Sequence, residues 1–286
     1  MSDPGAHPGR GVLLHAVLLA ASVVVVIPLI WLVCSAFKTN EDFLESMFLP
    51  AGDGFLGVAW ERLTVQHFRR LVTDLHFVRH FINSVFLSSV TSLLATLIAA
   101  MGGFALARYQ FRGRIPAMML ILAMIIIPPQ LLLAPQYQLL YRFDLLDTFT
   151  GLILPAVAPA FGVFLFRQAA LTSVPTQLME SARIDGCGEL RFFFVIALPL
   201  MRPMVGAFML ITFLATWNNF ISPQVVLQSP ERFPLSVAVA QLQGVYYQEY
   251  GLLMAATLLS VAPVLVLFII LQREFVAGLT AGAVKG

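Results

Sequence analysis

Hydrophobic residues fall along this chain in six long runs, with neither strict alternation nor narrow amphipathic stripes. The runs are Gly11–Phe37, Phe81–Ala107, Pro116–Leu140, Phe149–Ala169, Pro203–Leu227 and Gly251–Leu271. A helix that crosses the hydrocarbon core of a bilayer needs about 20 apolar residues, and each run meets that length. None alternates apolar and polar positions, which excludes a barrel of strands. The pattern predicts an all-α integral membrane protein with six transmembrane helices. The first run is too long for the core of a signal peptide, and Trp31-Leu32-Val33-Cys34 offers no small-residue cleavage site. It reads as a retained helix.

Composition agrees with this reading and narrows the classes. Of 286 residues, 59% are hydrophobic and 11% charged, with a mean hydropathy of +0.87. A soluble domain carries about 25% charged residues, so too little charge is present to wet a globular surface. This excludes a cytosolic or secreted enzyme and a disordered chain. The formal charge of +2 provides no basic surface for nucleic acid. Cys34 and Cys187 lie far apart, and the five histidines have no cysteine or acidic cluster near them, so neither a disulfide framework nor a metal site is expected.

Loop charge sets the orientation. With the N-terminus in the cytoplasm, ten basic residues (Arg10, Arg108, Arg112, Arg114, Arg167, Arg183, Arg191, Arg202, Arg273, Lys285) face inside. Seven (Lys38, Arg62, Arg69, Arg70, Arg79, Arg142, Arg232) face outside. The positive-inside rule then places both termini in the cytoplasm of a cell inner membrane. Three regions follow: residues 1–37, with the first helix; an external loop, 38–80, with a helix-like stretch Val65–Leu71; and a five-helix core, 81–286. The core includes a cytoplasmic loop at 171–202 and a cytoplasmic tail.

The spans hold no Asp, Glu or Lys, the residues that gradient-driven transporters place inside the membrane. His15 and Arg167 sit near span ends, where a polar tip reaches water. No phosphate-binding loop of the G-x-x-x-x-G-K-[ST] type occurs, and no nucleophilic triad or His-Glu-x-x-His motif suggests catalysis. Any solute movement through this chain would draw its energy from another subunit. Neutral polar groups are plentiful: Asn83, Ser84, Ser88, Ser89, Thr91 and Ser92 in span two, Gln130 and Gln136 around Pro128-Pro129 in span three, and Thr212, Thr216, Trp217, Asn218, Asn219 and Ser222 in span five. Asn83 and the serines read as helix-to-helix glue. Gln130, Trp217, Asn218 and Asn219 read as candidates for a pathway suited to neutral, hydroxyl-rich solutes.

The loop after span four carries the most distinctive chemistry. Gln177–Ile184 is a short amphipathic helix pattern, Asp185-Gly186 is a break, and Glu189–Ala197 starts a second helix before Pro199. Its polar face mixes Glu180, Arg183, Asp185, Glu189 and Arg191, which favours a protein partner over a membrane surface. Glu180-Ser181-Ala182, Ile184-Asp185-Gly186 and Leu198-Pro199 resemble the "EAA" loop of ATP-binding-cassette (ABC) importer permeases. The resemblance covers nearly the whole chain. Asn83-Ser84 opens span two as in that family, and Trp217-Asn218-x-Phe220 with Pro223 is similar to its W-N-x-F signature. The C-terminal segment from Gln272 to Gly286 is similar to the tail of its carbohydrate, maltose-type branch. Three positions depart from the family pattern: Ser181 replaces an alanine, Cys187 a small residue, and Asn219 a frequent acid.

The resemblance implies a non-catalytic subunit with the ABC importer permease core. Its partners would be a second homologous permease, two ABC ATPase subunits, an extracytoplasmic sugar-binding protein and membrane lipid. The chain itself would bind no cofactor, since ATP and Mg belong to the ATPases. Gln177–Ala197 would be the coupling helix element, with Glu180, Ser181, Ala182, Ile184, Asp185, Gly186, Leu198 and Pro199 as its contact residues and Glu180 as a charged anchor. The tail Gly278–Gly286 would also reach the ATPases. The substrate implied is a sugar or oligosaccharide. A polyol or glycerol phosphate ester and a gradient-driven transporter are the alternatives.

Overall fold

A computed structural model describes residues 8–243 and 249–283. Residues 284–286, at the end of the tail named above, lie outside the described residues. Apart from an isolated bridge between Ala51 and Val58, the described residues form helices and turns. The chain divides into two compact units, residues 1–77 with 239–262 and residues 78–238 with 263–286.

In the first unit, the helix Pro8–Ala36 includes the apolar stretch Leu13–Ala36, which is long enough to cross a membrane. The segment after it folds around a buried lysine. Lys38 donates from Nζ to the Ser46 and Met47 carbonyls at 2.7 and 3.1 Å, and its own carbonyl bonds His67 Nε2 at 2.8 Å. Burial lowers the Lys38 ammonium below its ordinary value, and these carbonyls satisfy its N–H groups. Thr39 caps the short helix Asn40–Glu45, and buried Asp42 pairs with Arg62. The helix expected over Val65–Leu71 forms over Gln66–Thr73. Arg70 grips Glu249 through two hydrogen bonds.

The second unit contains spans two to five. Span two is the 32-residue helix Phe77–Arg108. The other three are bent. Span three breaks by 100° between Arg114–Ile126 and Pro129–Arg142, because Pro128 and Pro129 supply no N–H groups to a continuing helix. Span four bends by 43° between Phe149–Ala156 and Ala160–Ser173. An 82° bend at Met201 joins Glu189–Leu200 to Arg202–Trp217, where Pro203 lacks the N–H that would bond the Pro199 carbonyl. The continuous span expected over Pro203–Leu227 is therefore corrected. Its helix stops at Trp217, Asn218 caps it, and a short helix follows over Ile221–Val226. The last span lies within the helix Tyr250–Ala283. Among the described residues three helices are long and apolar enough to cross a membrane, and counting each bent pair as one span raises this to six.

Small residues bring the spans of this unit close. A Cβ on Gly103 would lie 2.6 Å from the Arg167 nitrogen and 2.7 Å from the Val163 carbonyl oxygen. A Cβ on Gly162 would lie 2.4 Å from the Phe208 ring. Phe104 centres the core between them, in ring contact with Tyr109, Phe192 and Phe193.

At the opposite end of span two, Asn83 Nδ2 donates to the Glu231 and Phe233 carbonyls at 2.9 and 3.1 Å, and the Ser84 hydroxyl accepts from the Leu235 N–H at 2.7 Å. The carboxylate of Asp147 accepts from the Gln228 and Ser229 N–H groups, the Ser229 hydroxyl and Arg232. The Ser229 bonds hold its carboxyl down to about 2. Between these two anchors, the segment 226–235 is fixed.

Candidate coupling loop and polar cavity

The loop after span four is a helix, a tight turn and a second helix. Pro175 opens Thr176–Ile184, which its fixed φ favours, and Met179 and Ala182 bury one face in the core around Phe104. The helix ends on Asp185, after which Gly186 takes a left-handed φ of +75°. The Cys187 N–H bonds the Ala182 carbonyl at 2.8 Å and the Gly186 N–H bonds the Arg183 carbonyl at 3.0 Å. This is the paired 6→1 and 5→2 pattern of a Schellman turn, with Cys187 making its hydrophobic contact on the core. The turn thus satisfies its own backbone groups. Glu180, Ser181, Asp185 and Gly186 are left exposed beside Ile184, which is 86% exposed.

A bonded triad braces the turn. Arg183 reaches Glu189 from Nε at 2.9 Å, and the Tyr109 hydroxyl donates to the same carboxylate at 2.5 Å. Burial, with this bond, pushes the Tyr109 phenol up to about 12, while the Tyr109 bond holds Glu189 below the usual carboxylate range. Arg108 closes the other side, donating to the Ala170 and Leu171 carbonyls and the Thr176 hydroxyl. Beyond the turn, Phe193–Ala197 is a π-helical stretch. Leu198 then packs partly buried on the core, and Pro199 is exposed. Of the eight residues read as the coupling set, the structure gathers Glu180, Ser181, Ile184, Asp185 and Gly186 on the exposed turn. Ala182 and Leu198 face the core.

A cavity of about 150 Å³ opens among spans two to five. Its polar lining is Ser84, Ser88, Thr91, Gln136, Thr216, Asn219 and Ser222, all neutral, with Leu87, Leu152 and four prolines or alanines completing the wall. The Asn219 side-chain oxygen also caps the helix Ile221–Val226 by accepting from the Ser222 N–H at 3.3 Å. Of the residues read as pathway candidates, only Asn219 lines this cavity. The Trp217 indole is buried against Phe81 and Phe213. Asn218 is exposed and donates back to the Leu214 carbonyl, and Gln130 is exposed in the turn that breaks span three. The helical spacing of Ser84, Ser88 and Thr91 places them on one face of span two, and that signal points to the cavity wall.

Residues 99–280 match the family described as "Binding-protein-dependent transport system inner membrane component". The chain is 38% identical over 264 residues, 92% of each chain, to the arabinooligosaccharides transport system permease protein AraQ of Halalkalibacterium halodurans. It is 33% identical, over 95% of this chain and 88% of its relative, to the diacetylchitobiose uptake system permease protein NgcG of Streptomyces coelicolor. Its fold matches a chain in the crystal structure of a bacterial ABC transporter involved in the import of the acidic polysaccharide alginate, with a TM-score of 0.79. That likeness covers 96% of this chain and 100% of the other at 20% identity.

Proposed function

This chain belongs to the family of inner membrane components of binding-protein-dependent transport systems, a permease subunit and not an enzyme, and on that premise we propose that it forms half of the translocation pathway of an ABC importer for a sugar or oligosaccharide. The observation that carries the substrate class is the lining of the cavity among spans two to five. Seven neutral hydroxyl and amide side chains, with no ionic group among them, match the donors and acceptors of a carbohydrate. A phosphate ester would meet no cation there, which disfavours the glycerol phosphate ester among the alternatives. AraQ and NgcG, named for arabinooligosaccharide transport and diacetylchitobiose uptake, point the same way.

In this reading the turn at Glu180–Gly186 docks in a cleft of an ABC ATPase subunit, with Glu180 as charged anchor and Ile184 as apolar contact. Its self-satisfied backbone favours such docking, since it holds one shape before a partner arrives. A second homologous permease would complete the pathway, and an extracytoplasmic binding protein would deliver the solute. Two ATPase subunits would use ATP and Mg on the cytoplasmic side, where both termini lie. Differential contact of the turn with open and closed ATPases would drive the spans between access states. The test is purification of the tagged chain in mild detergent followed by mass spectrometry of the subunits that accompany it. A second permease and ATPase subunits should accompany the native chain, and the ATPase should be lost on Glu180→Lys. Retention of the ATPase by Glu180→Lys would overturn the anchor, and a chain that purified alone and transported without ATP would overturn the whole reading.

A further inference from the structure

A second cavity, of about 540 Å³, opens between the end of span two, the start of span three and span four. Its chemistry is the inverse of the first. Two half-buried guanidiniums, Arg114 and Arg167, line it together with the single amide Gln110, and the rest of the wall is apolar: Leu106, Phe111, Ile115, Met118, Met119 and Leu122 with Pro116 and Gly113. Arg114 donates from Nε to the Leu106 carbonyl at 2.9 Å, which fixes its stem and leaves its terminal N–H groups open to a ligand. Among the described residues, neither guanidinium has a carboxylate within salt-bridge range, and no acidic side chain lines the cavity. The helix Arg114–Ile126 begins at this wall, so its positive end adds to the field. Gly113, at φ +93°, has no neighbouring atom in the way of a Cβ, which leaves the lip of the cavity open.

Half-buried cations on an apolar wall are unfavourable unless an anion joins them. The ligand must therefore combine an anionic head with an apolar body. An oligosaccharide fits poorly, because Gln110 is the only neutral polar side chain available to its hydroxyls. We propose that this cavity is a binding site for an anionic phospholipid of the surrounding membrane. The phosphodiester is met by Arg114 and Arg167, and acyl chain lies along Ile115, Met118, Met119 and Leu122. The membrane end that carries Arg108, Arg112 and Arg114 attracts such lipids in general, and the cavity turns that attraction into a defined site.

The probe is phosphatidylglycerol, offered to the full chain with the subunits that purify with it and read by native mass spectrometry. A photoactivatable phosphatidylglycerol should label the native protein within residues 106–122 or at Arg167, and zwitterionic phosphatidylcholine should not compete for that label. Retained phosphatidylglycerol should fall roughly tenfold or more in the double variant Arg114→Gln/Arg167→Gln and stay unchanged in Arg112→Gln, whose exposed side chain lies outside the cavity lining. Equal retention in the double variant, or labelling confined to other segments, overturns the proposal. Competition by millimolar inorganic phosphate as effective as by the lipid would assign a free anion instead, and displacement by an acidic oligosaccharide would assign a solute site. If the double variant does not fold, the label map of the unmutated protein decides alone.

Discussion

Gly186 holds a φ of +75° with no atom near the position a Cβ would take, so any substitution there meets backbone strain and not collision. An ordinary L-residue in the left-handed region costs about 1–2 kcal/mol, and asparagine less. Gly186→Val should leave the chain in the membrane yet sharply reduce stimulation of the ATPase by loaded binding protein, while Gly186→Asn should keep most of it. Unchanged stimulation in the valine variant would show that the turn tolerates another shape. Asp147 carries a different single-residue effect. Its carboxyl lies at about 2 against an ordinary 3.8, so its ties to the 228–232 segment are complete above about pH 4 and are lost as pH falls toward about 2. Amide exchange at Gln228 and Ser229, corrected for the intrinsic rate, should rise across that window, and Asp147→Asn should show the same looseness at neutral pH. The glycine break and the polarity of Asn219 could be read from the chain itself. The role of Asp147 could not, because its partners lie more than eighty positions away. Trp217 misleads for the same reason: its indole is taken up by Phe81, which no local pattern links to it.

Between elements, Gly103 of span two meets the backbone of span four at Val163 and Arg167 as well as the Phe166 side chain. The atoms in the way are backbone as well as side chain, so a methyl cannot be relieved by a rotamer change. Gly103→Ala should lower thermal stability in detergent by about 1–3 kcal/mol, the usual cost of overpacking, whereas Gly102→Ala, whose added atom would lie 3.5 Å from Val163, should be close to neutral. Similar losses for both would mean that the crossing is loosely packed. At this scale the lengths of the runs and the proline pair announced the helices and the break in span three. The stop after Trp217 was not legible as such, because the polar Asn218 and Asn219 that follow it suit a pathway lining as well as a helix end. Neither was the π-helical stretch Phe193–Ala197, whose sequence differs in no obvious way from a regular helix.

For the molecule as a whole, the six sequence-predicted spans hold no Asp, Glu or Lys, the side chains that gradient-driven transporters place in the membrane, and their one histidine, His15, lies near a span end, which argues against coupling to an ion gradient. Uptake into sealed vesicles bearing the assembled transporter should require internal ATP and should persist when a protonophore collapses the gradient. Uptake that stopped with the gradient would reverse this assignment. Fold and family were legible because membrane thickness imposes run length, and because the loop motif is compact in sequence. The cavities were not, since each draws its wall from several spans. The bend in span three also bears on how the protein is made. Its first half, Arg114–Ile126, has 13 residues and so reaches only about 20 Å, short of a hydrocarbon core of about 30 Å. That half rests on the helix Ala160–Ser173, which follows it in the chain. Span three therefore cannot settle in the order in which it is translated. Its first half has its packing partner only once span four is in place.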